Sequence, residues 1–274
     1  MSTTTGEALP FVRVDAGGRS LAACIQGTGE PVVILEVGLG ADAASWARVA
    51  QGIAQFTRVC WYDRAGRSAS DPAPKPRQPG DLVEDARRIA RHVSPSRPVV
   101  LVGQSLGGLI ARLHAYRFPH EVAALVLVDS LHEDQFDACG PLFPAPDGES
   151  PVLTSMRAFW SGRWRDPASN PEAIDLVACQ VAARSITGLG SLPLRVITAS
   201  GFTIAGAPFG AAGPALQEQW NHLQARLAML STDSAHEVVA DSGHFIQSDR
   251  PDVIVQTVRD VITKLGKSQF AGPD

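Results

Sequence analysis

Much of what commonly marks a function is missing from this 274-residue chain. No run approaches the ~18 consecutive apolar residues of a membrane span. Charge of one sign is scarce: the formal net charge is −4, and no lysine- or arginine-rich block stands out. A nucleic-acid or anionic-membrane partner therefore has no electrostatic support. The four cysteines (Cys24, Cys60, Cys139 and Cys179) are scattered without C-x-x-C spacing. Cys24 and Cys60 lie in apolar, strand-like segments and read as buried thiols. No histidine–carboxylate cluster has metal-ligand spacing, and no G-x-G-x-x-G marks a dinucleotide site, so neither metal nor cofactor is implied. Met1 to Gly6 is polar, without the basic and apolar regions of a signal peptide. The expectation is a cytoplasmic protein that needs no cofactor.

What is present is core-forming material, with 45% hydrophobic and 19% charged residues. That balance suits one α/β domain carrying an insertion. Phe11 to Asp15 and Ser20 to Ile25 flank a Gly17-Gly18 turn and predict an opening hairpin. Continuous apolar runs follow at Pro31–Val37, Thr57–Tyr62, Pro98–Val102, Val122–Val128, Leu192–Ala199 and Ala235–Ala240. Helical stretches separate them: Ala43 to Phe56, residues 81 to 93, Leu106 to Arg117, Pro214 to Leu230, and a closing helix from Pro251. Asp81 with Glu84 three residues on resembles a capping box. Arg87, Arg88, Arg91 and His92 read as a solvated, dipole-matched helix face. Strands that are apolar throughout, with helices between them, imply a mostly parallel eight-stranded sheet flanked by helices. Residues 131–190 break the rhythm with Pro141, Pro144, Pro146, Pro151, Pro167 and Pro171, with Trp160 and Trp164, and with helical fragments around 150–161 and 171–185. They read as an inserted helical cap, leaving 1–130 and 191–274 as the core domain.

One stretch organises the rest. Pro98 to Val102 runs into Gly103-Gln104-Ser105-Leu106-Gly107, a G-x-S-x-G pentapeptide at a strand-to-helix corner. Such a corner exposes a serine hydroxyl on a strained turn, and Gly103 and Gly107 stand where a Cβ would collide. A serine hydroxyl needs a base, and imidazole is the usual one near neutral pH. Of seven histidines, His244 is the best placed, following the last strand in S-G-H-F. His132, just past Asp129, is kept open. His92, His114, His120, His222 and His236 read as surface or core residues. Ser105, Asp129 and His244 all fall at the carboxyl ends of strands, where ligands bind in sheets of this kind. Asp63 and Arg64 read as a structural pair.

Five segments in order carry a resemblance: V-V-I-L-E-V-G-L-G, W-Y-D-R-A-G-R-S-A-S-D-P, G-Q-S-L-G, L-V-L-V-D-S and D-S-G-H-F. Their order and chemistry resemble the α/β-hydrolase family in its serine-nucleophile, esterase-like branch. The resemblance implies that His244 activates Ser105 to cleave a carboxylic ester, with a small-molecule acyl substrate and water as the partners. Lactonase, thioesterase, C–C bond hydrolase and acyltransferase chemistry share these parts, and a receptor-like protein with little turnover keeps the same pocket. Three departures stand out. Family members often read H-G-x where this chain has Val37-Gly38-Leu39; the oxyanion hole uses backbone N–H groups, and Leu39 and Leu106 are the implied donors. Ser68 replaces the second glycine of the usual G-x-G-x-S, with a small expected effect. Many relatives place the acid after strand seven, yet Ser200 to Gly213 holds no carboxylate. A smaller set places it after strand six, where this chain has Asp129; Asp134, Asp233 and Asp241 are the alternatives, and Asp241 more plausibly orders the histidine loop. Phe159, Trp160 and Trp164 supply either an apolar substrate pocket or the packing of the cap.

Overall fold

Each apolar run forms a strand in the computed structural model, which describes residues 11–143, 150–202 and 212–270. The strands are β1 (Phe11–Asp15), β2 (Ser20–Gln26), β3 (Val33–Glu36), β4 (Val59–Tyr62), β5 (Val99–Gln104), β6 (Val122–Val128), β7 (Leu194–Ala199) and β8 (Ser234–Val239). They make one sheet in the order β1-β2-β4-β3-β5-β6-β7-β8. β1 and β2 form the expected hairpin, β2 pairs antiparallel with β4, and every later pairing is parallel. The hairpin bend places Gly17 and Gly18 at φ of 77° and 84°, a left-handed region cheap only for glycine.

The helices are α1 (Ala47–Ile53), α2 (Pro79–Val93), α3 (Leu106–Arg117), α4 (Gln135–Cys139), α5 (Pro151–Ser161), α6 (Leu176–Arg184), α7 (Gly213–Ala228), α8 (Ile246–Asp249) and α9 (Pro251–Phe270). Strand side chains alternate between two cores, as a period of two requires. Ile34, Leu101, Leu125 and Leu127 face α2 and α3. Val33, Leu35, Val100, Val102, Val126 and Val128 face α1 and α9. A third cluster joins α3 and α7 to the inserted segment through Leu109, Phe136, Trp160, Trp164 and Trp220. The insertion between β6 and β7 therefore sits on the helical layer, at the carboxyl edge of the sheet. Its Trp164 stacks on Phe136 with ring centroids 4.7 Å apart.

Some local expectations change. The α2 cap is one turn earlier than the sequence implied: the Asp81 carboxylate accepts from Gln78 N–H at 3.0 Å, while Glu84 pairs with Arg88 at 3.2 Å. The arginine face of α2 is not merely solvated, because Arg87 and Arg91 converge on Glu121 at 2.7 and 2.8 Å. Those two arginines hold the Glu121 carboxyl down at about 2. Cys60 is fully buried, but Cys24 is only partly so. Met1 to Gly6, Pro144, Pro146 and most of the glycine-rich loop after β7 lie outside the described residues.

Candidate active site

The turn from β5 into α3 is as tight as its glycines imply. Ser105 has φ 51° and ψ −120°. A Cβ on Gly103 would overlap the Gly107 carbonyl, and one on Gly107 would overlap the Glu36 carbonyl of β3. The end of β6 fixes the strained residue through both its N–H and its carbonyl. Ser105 N–H donates to Val128 O at 3.1 Å, and its carbonyl accepts from Leu131 N–H at 2.9 Å.

Asp129 follows β6 and also has a left-handed φ, 45°. Its N–H donates to Ile197 O at 2.8 Å, which ties it to β7. The carboxylate is buried and committed. Oδ1 accepts from Ala199 N–H at 3.0 Å and from the Trp220 indole N–H at 2.7 Å. Oδ2 lies 2.7 Å from His244 Nδ1. A carboxylate accepting there sets Nδ1 as the protonated nitrogen and leaves Nε2 with a lone pair. That lone pair faces Gln104, whose Nε2 is 3.1 Å from His244 Nε2 and 3.1 Å from His244 O. The structure thus brings Asp129 and His244 into contact and places the Gln104 amide, not the Ser105 hydroxyl, on Nε2.

The remaining carboxylates are engaged elsewhere. Asp134 pairs with Arg184 and Arg226 at 3.0 and 2.9 Å, and Asp233 pairs with Lys264 at 2.6 Å. The histidine loop is ordered by Asp249, which accepts from Gly243 N–H at 2.9 Å, rather than by Asp241. His132 is buried, accepts from Asp134 N–H at 3.0 Å, and is driven down to about 4 by its burial. Asp63 and Arg64 are not a pair. Asp63 accepts from Ala43 N–H at 2.8 Å, whereas Arg64 bonds to Glu172 of the insertion.

Leu39 lies in a short loop after β3, and Leu106 opens α3. Around Leu39 the loop is held from several directions. Arg64 donates to Val37 O at 2.5 Å and Gly38 O at 2.6 Å, Gly40 N–H donates to Glu172 at 2.7 Å, and Arg67 donates to Gly40 O at 2.8 Å. A Cβ on Gly38 would overlap the Gln104 amide oxygen, so a side chain there would displace Gln104.

Ser105, Gln104, His244 and the loop at Gly38 and Leu39 open on a cavity of about 340 Å³ walled also by Leu131, Phe136, Met156, Phe159, Trp160, Trp220 and Phe245, among others. None of its described lining residues is an aspartate, glutamate, lysine or arginine. Phe159 and Trp160 face this space, while Trp164 is spent on packing against Phe136. Trp160 also packs against Phe136 and, across to α7, Trp220, with ring centroids 5.1 and 6.4 Å apart. Gln104, Trp220, Arg64 and Glu172 are contributors that sequence reasoning missed. The partners of Trp220 and Arg64 lie 91 and 108 residues away, so local spacing gives no signal.

A family model for the alpha/beta hydrolase fold matches residues 31–176, more than half of the chain. The chain belongs to the α/β-hydrolase fold family. Solved members agree over nearly its whole length. A thermophilic esterase from Thermogutta terrifontis superposes with a TM-score of 0.64 at 19% identity, covering 93% of this chain and 99% of that one. The mouse α/β-hydrolase domain-containing protein 10 gives 0.67 at 17% identity, with 93% and 99% covered. At such identities the likeness is one of fold. In sequence, the pimeloyl-[acyl-carrier protein] methyl ester esterase of Chromobacterium violaceum is 43% identical over 104 residues, 37% of each chain. Together these support a hydrolase. No helix of the described residues is long and apolar enough to cross a membrane.

Proposed function

We propose that this α/β-hydrolase is a serine hydrolase that cleaves an uncharged carboxylic ester, with Ser105 as nucleophile, His244 as general base and Asp129 as the acid. The observation that carries the reading is the 2.7 Å contact between Asp129 and His244 beside the strained Ser105 corner, with His244 and Ser105 opening on one apolar cavity. As an ester enters, His244 Nε2 exchanges the Gln104 amide for the Ser105 hydroxyl and takes its proton as Oγ attacks the acyl carbon. Asp129 keeps the tautomer and stabilises the imidazolium. The backbone N–H groups of Leu39 and Leu106 receive the oxyanion, each contributing about 3 kcal/mol to the transition state. The imidazolium then protonates the departing alcohol, and water, activated by the same nitrogen, releases the acid.

A lining without formal charge favours a substrate that is uncharged near the scissile bond, because an unpaired charge there would lose its hydration without compensation. The likeness to a methyl ester esterase supports the choice of ester among acyl compounds. Residues 131–190 serve as the cap that closes this pocket over the core formed by 1–130 and 191–274. Four free cysteines, three of them buried, suit a reducing compartment, and we place the enzyme in the cytoplasm. The test is labelling with a fluorophosphonate probe, followed by hydrolysis of p-nitrophenyl esters from acetyl to octanoyl. Wild type is expected to be labelled and active, and Ser105→Ala to be neither. A wild type that is not labelled, or an equally labelled variant, overturns the assignment. Matched thioesters and lactones of the best acyl group fix the bond type.

A further inference from the structure

We infer that Glu172, from the inserted cap segment, is a positioning residue for the oxyanion hole, acting through Arg64 on the Val37–Gly40 loop. The inference rests on the reading of Leu39 N–H as an oxyanion donor. Both ends of this ion pair are buried, with side-chain exposures of 1% for Arg64 and 0% for Glu172. The guanidinium meets the carboxylate with two bonds, Nε to Oε2 at 2.7 Å and Nη2 to Oε1 at 2.5 Å, the planar fork that arginine suits best. Nη1 and Nη2 also donate to the carbonyls of Val37 and Gly38. Glu172 Oε1 in turn accepts from Gly40 N–H. Polar groups on both sides of Leu39 are therefore held by one charge pair, and the orientation of the Leu39 peptide follows from them.

Glu172 is itself fixed from within the insertion. Asn170 Oδ1 accepts from Glu172 N–H and Ile174 N–H at 3.3 and 3.0 Å, and Ala173 takes a left-handed φ of 50°. Two backbone bonds then stitch this turn to the core, Arg77 N–H to Ala173 O and Asp175 N–H to Arg77 O, both 2.9 Å. Pro171 presses on Gly40, where a Cβ would sit 2.9 Å from its Cγ. Asn170 and Pro171 also line the substrate cavity. The segment that touches substrate is thus continuous with the one that sets the loop. A buried ion pair is by itself weak evidence for stability, because desolvation offsets much of the attraction. Its value here is geometric.

Glu172→Gln keeps the shape but removes the charge, and Glu172→Asp keeps the charge but withdraws it by one methylene. Removing a whole oxyanion donor costs ~10²–10³ in kcat, so misorienting one is expected to lower kcat by about 10- to 100-fold on the best ester, with KM within about twofold. The inhibition constant of the matching trifluoromethyl ketone, whose adduct carries the oxyanion, should rise by a similar factor. Near-UV circular dichroism and a thermal melt establish that each variant is folded, and Glu172→Asp decides if Glu172→Gln is not. Folded variants with kcat within threefold of wild type, or with loss confined to KM, overturn the inference and leave the hydrolase reading standing. Wild type that fluorophosphonate does not label at Ser105 overturns both.

Discussion

Replacing Asp129 with asparagine tests the acid assignment, and the structure fixes how the new amide must sit. Asp129 Oδ1 accepts from two donors, Ala199 N–H and the Trp220 indole. An asparagine must leave its carbonyl oxygen there, since its NH₂ would face two N–H groups at hydrogen-bond distance. The NH₂ then takes the place of Oδ2, 2.7 Å from His244 Nδ1, and that nitrogen becomes an acceptor. The proton moves to Nε2, which loses the lone pair needed to deprotonate Ser105. Gln104 does not relieve the change, because its Nε2 also donates to His244 O at 3.1 Å and a flip would turn Oε1 against that carbonyl. The Oδ1 bonds of residue 129 and its backbone bond to Ile197 are kept, so the fold is retained. For an equivalent change in a serine protease, the worked example of this effect is a ~10⁴-fold drop in kcat, about 5 kcal/mol of barrier. A loss of ~10³–10⁴ in kcat is expected for Asp129→Asn on a short-chain aryl ester, with an unchanged melting temperature. Asp241→Asn should stay within a few-fold of wild type. A drop confined to Asp241→Asn, or an Asp129→Asn enzyme within tenfold of wild type, refutes the reasoning.

Four further outcomes follow from packing and charge. Glu36 is buried beneath the Val37–Gly40 loop and accepts from the Tyr62 hydroxyl at 2.5 Å; burial pushes its carboxyl up to about 7 from 4.5, against the opposing pull of that bond and of Arg64. The native state then holds a proton that the unfolded chain releases, so wild-type stability should fall as pH rises from 4.5 through 7, by about 3 kcal/mol. Glu36→Gln cannot titrate and should gain on wild type by that amount between pH 4.5 and 8 in urea denaturation; an opposite sign refutes the assignment. Gly108→Ala would drive a Cβ into the Ser130 side chain and should cost ~1–3 kcal/mol. Gly266→Ala, with open space in α9, should stabilise by up to ~1 kcal/mol, and paired chemical denaturation curves check both. Phe159→Ala enlarges the cavity next to Phe136 and should shift kcat/KM toward longer acyl chains across a p-nitrophenyl ester series, while kcat on the acetyl ester stays near wild type.

The parts of this fold that were legible in sequence are those written locally. Runs such as Val99–Gln104 are apolar on both faces because both faces are covered, and Gly103 and Gly107 are glycine because the backbone crosses itself there. Long-range charge pairing was illegible for the opposite reason. Arg64 stands next to Asp63, and adjacency made a pair of them, yet in a turn they point to different partners, one of them in an insertion more than a hundred residues on. The Ser68 departure keeps a backbone shape that suits glycine. Its φ of 41° explains a preference for glycine, and a side-chain bond with Asp63 gives the serine compensation that glycine does not have. A positive φ recurs at Ser105, Asp129 and Asp241, each following the carboxyl end of β5, β6 or β8. Single residues forced into the left-handed region cost ~1–3 kcal/mol and persist only where the surroundings over-determine them. Here three such positions line one edge of the sheet. Aspartate tolerates that region and serine does so less well, so the sequence disguised two of the three as ordinary turns. At Ser105 the strand bonds from β6 and the flanking glycines supply the constraint, and the strain they hold keeps its hydroxyl clear of the sheet, within the cavity wall.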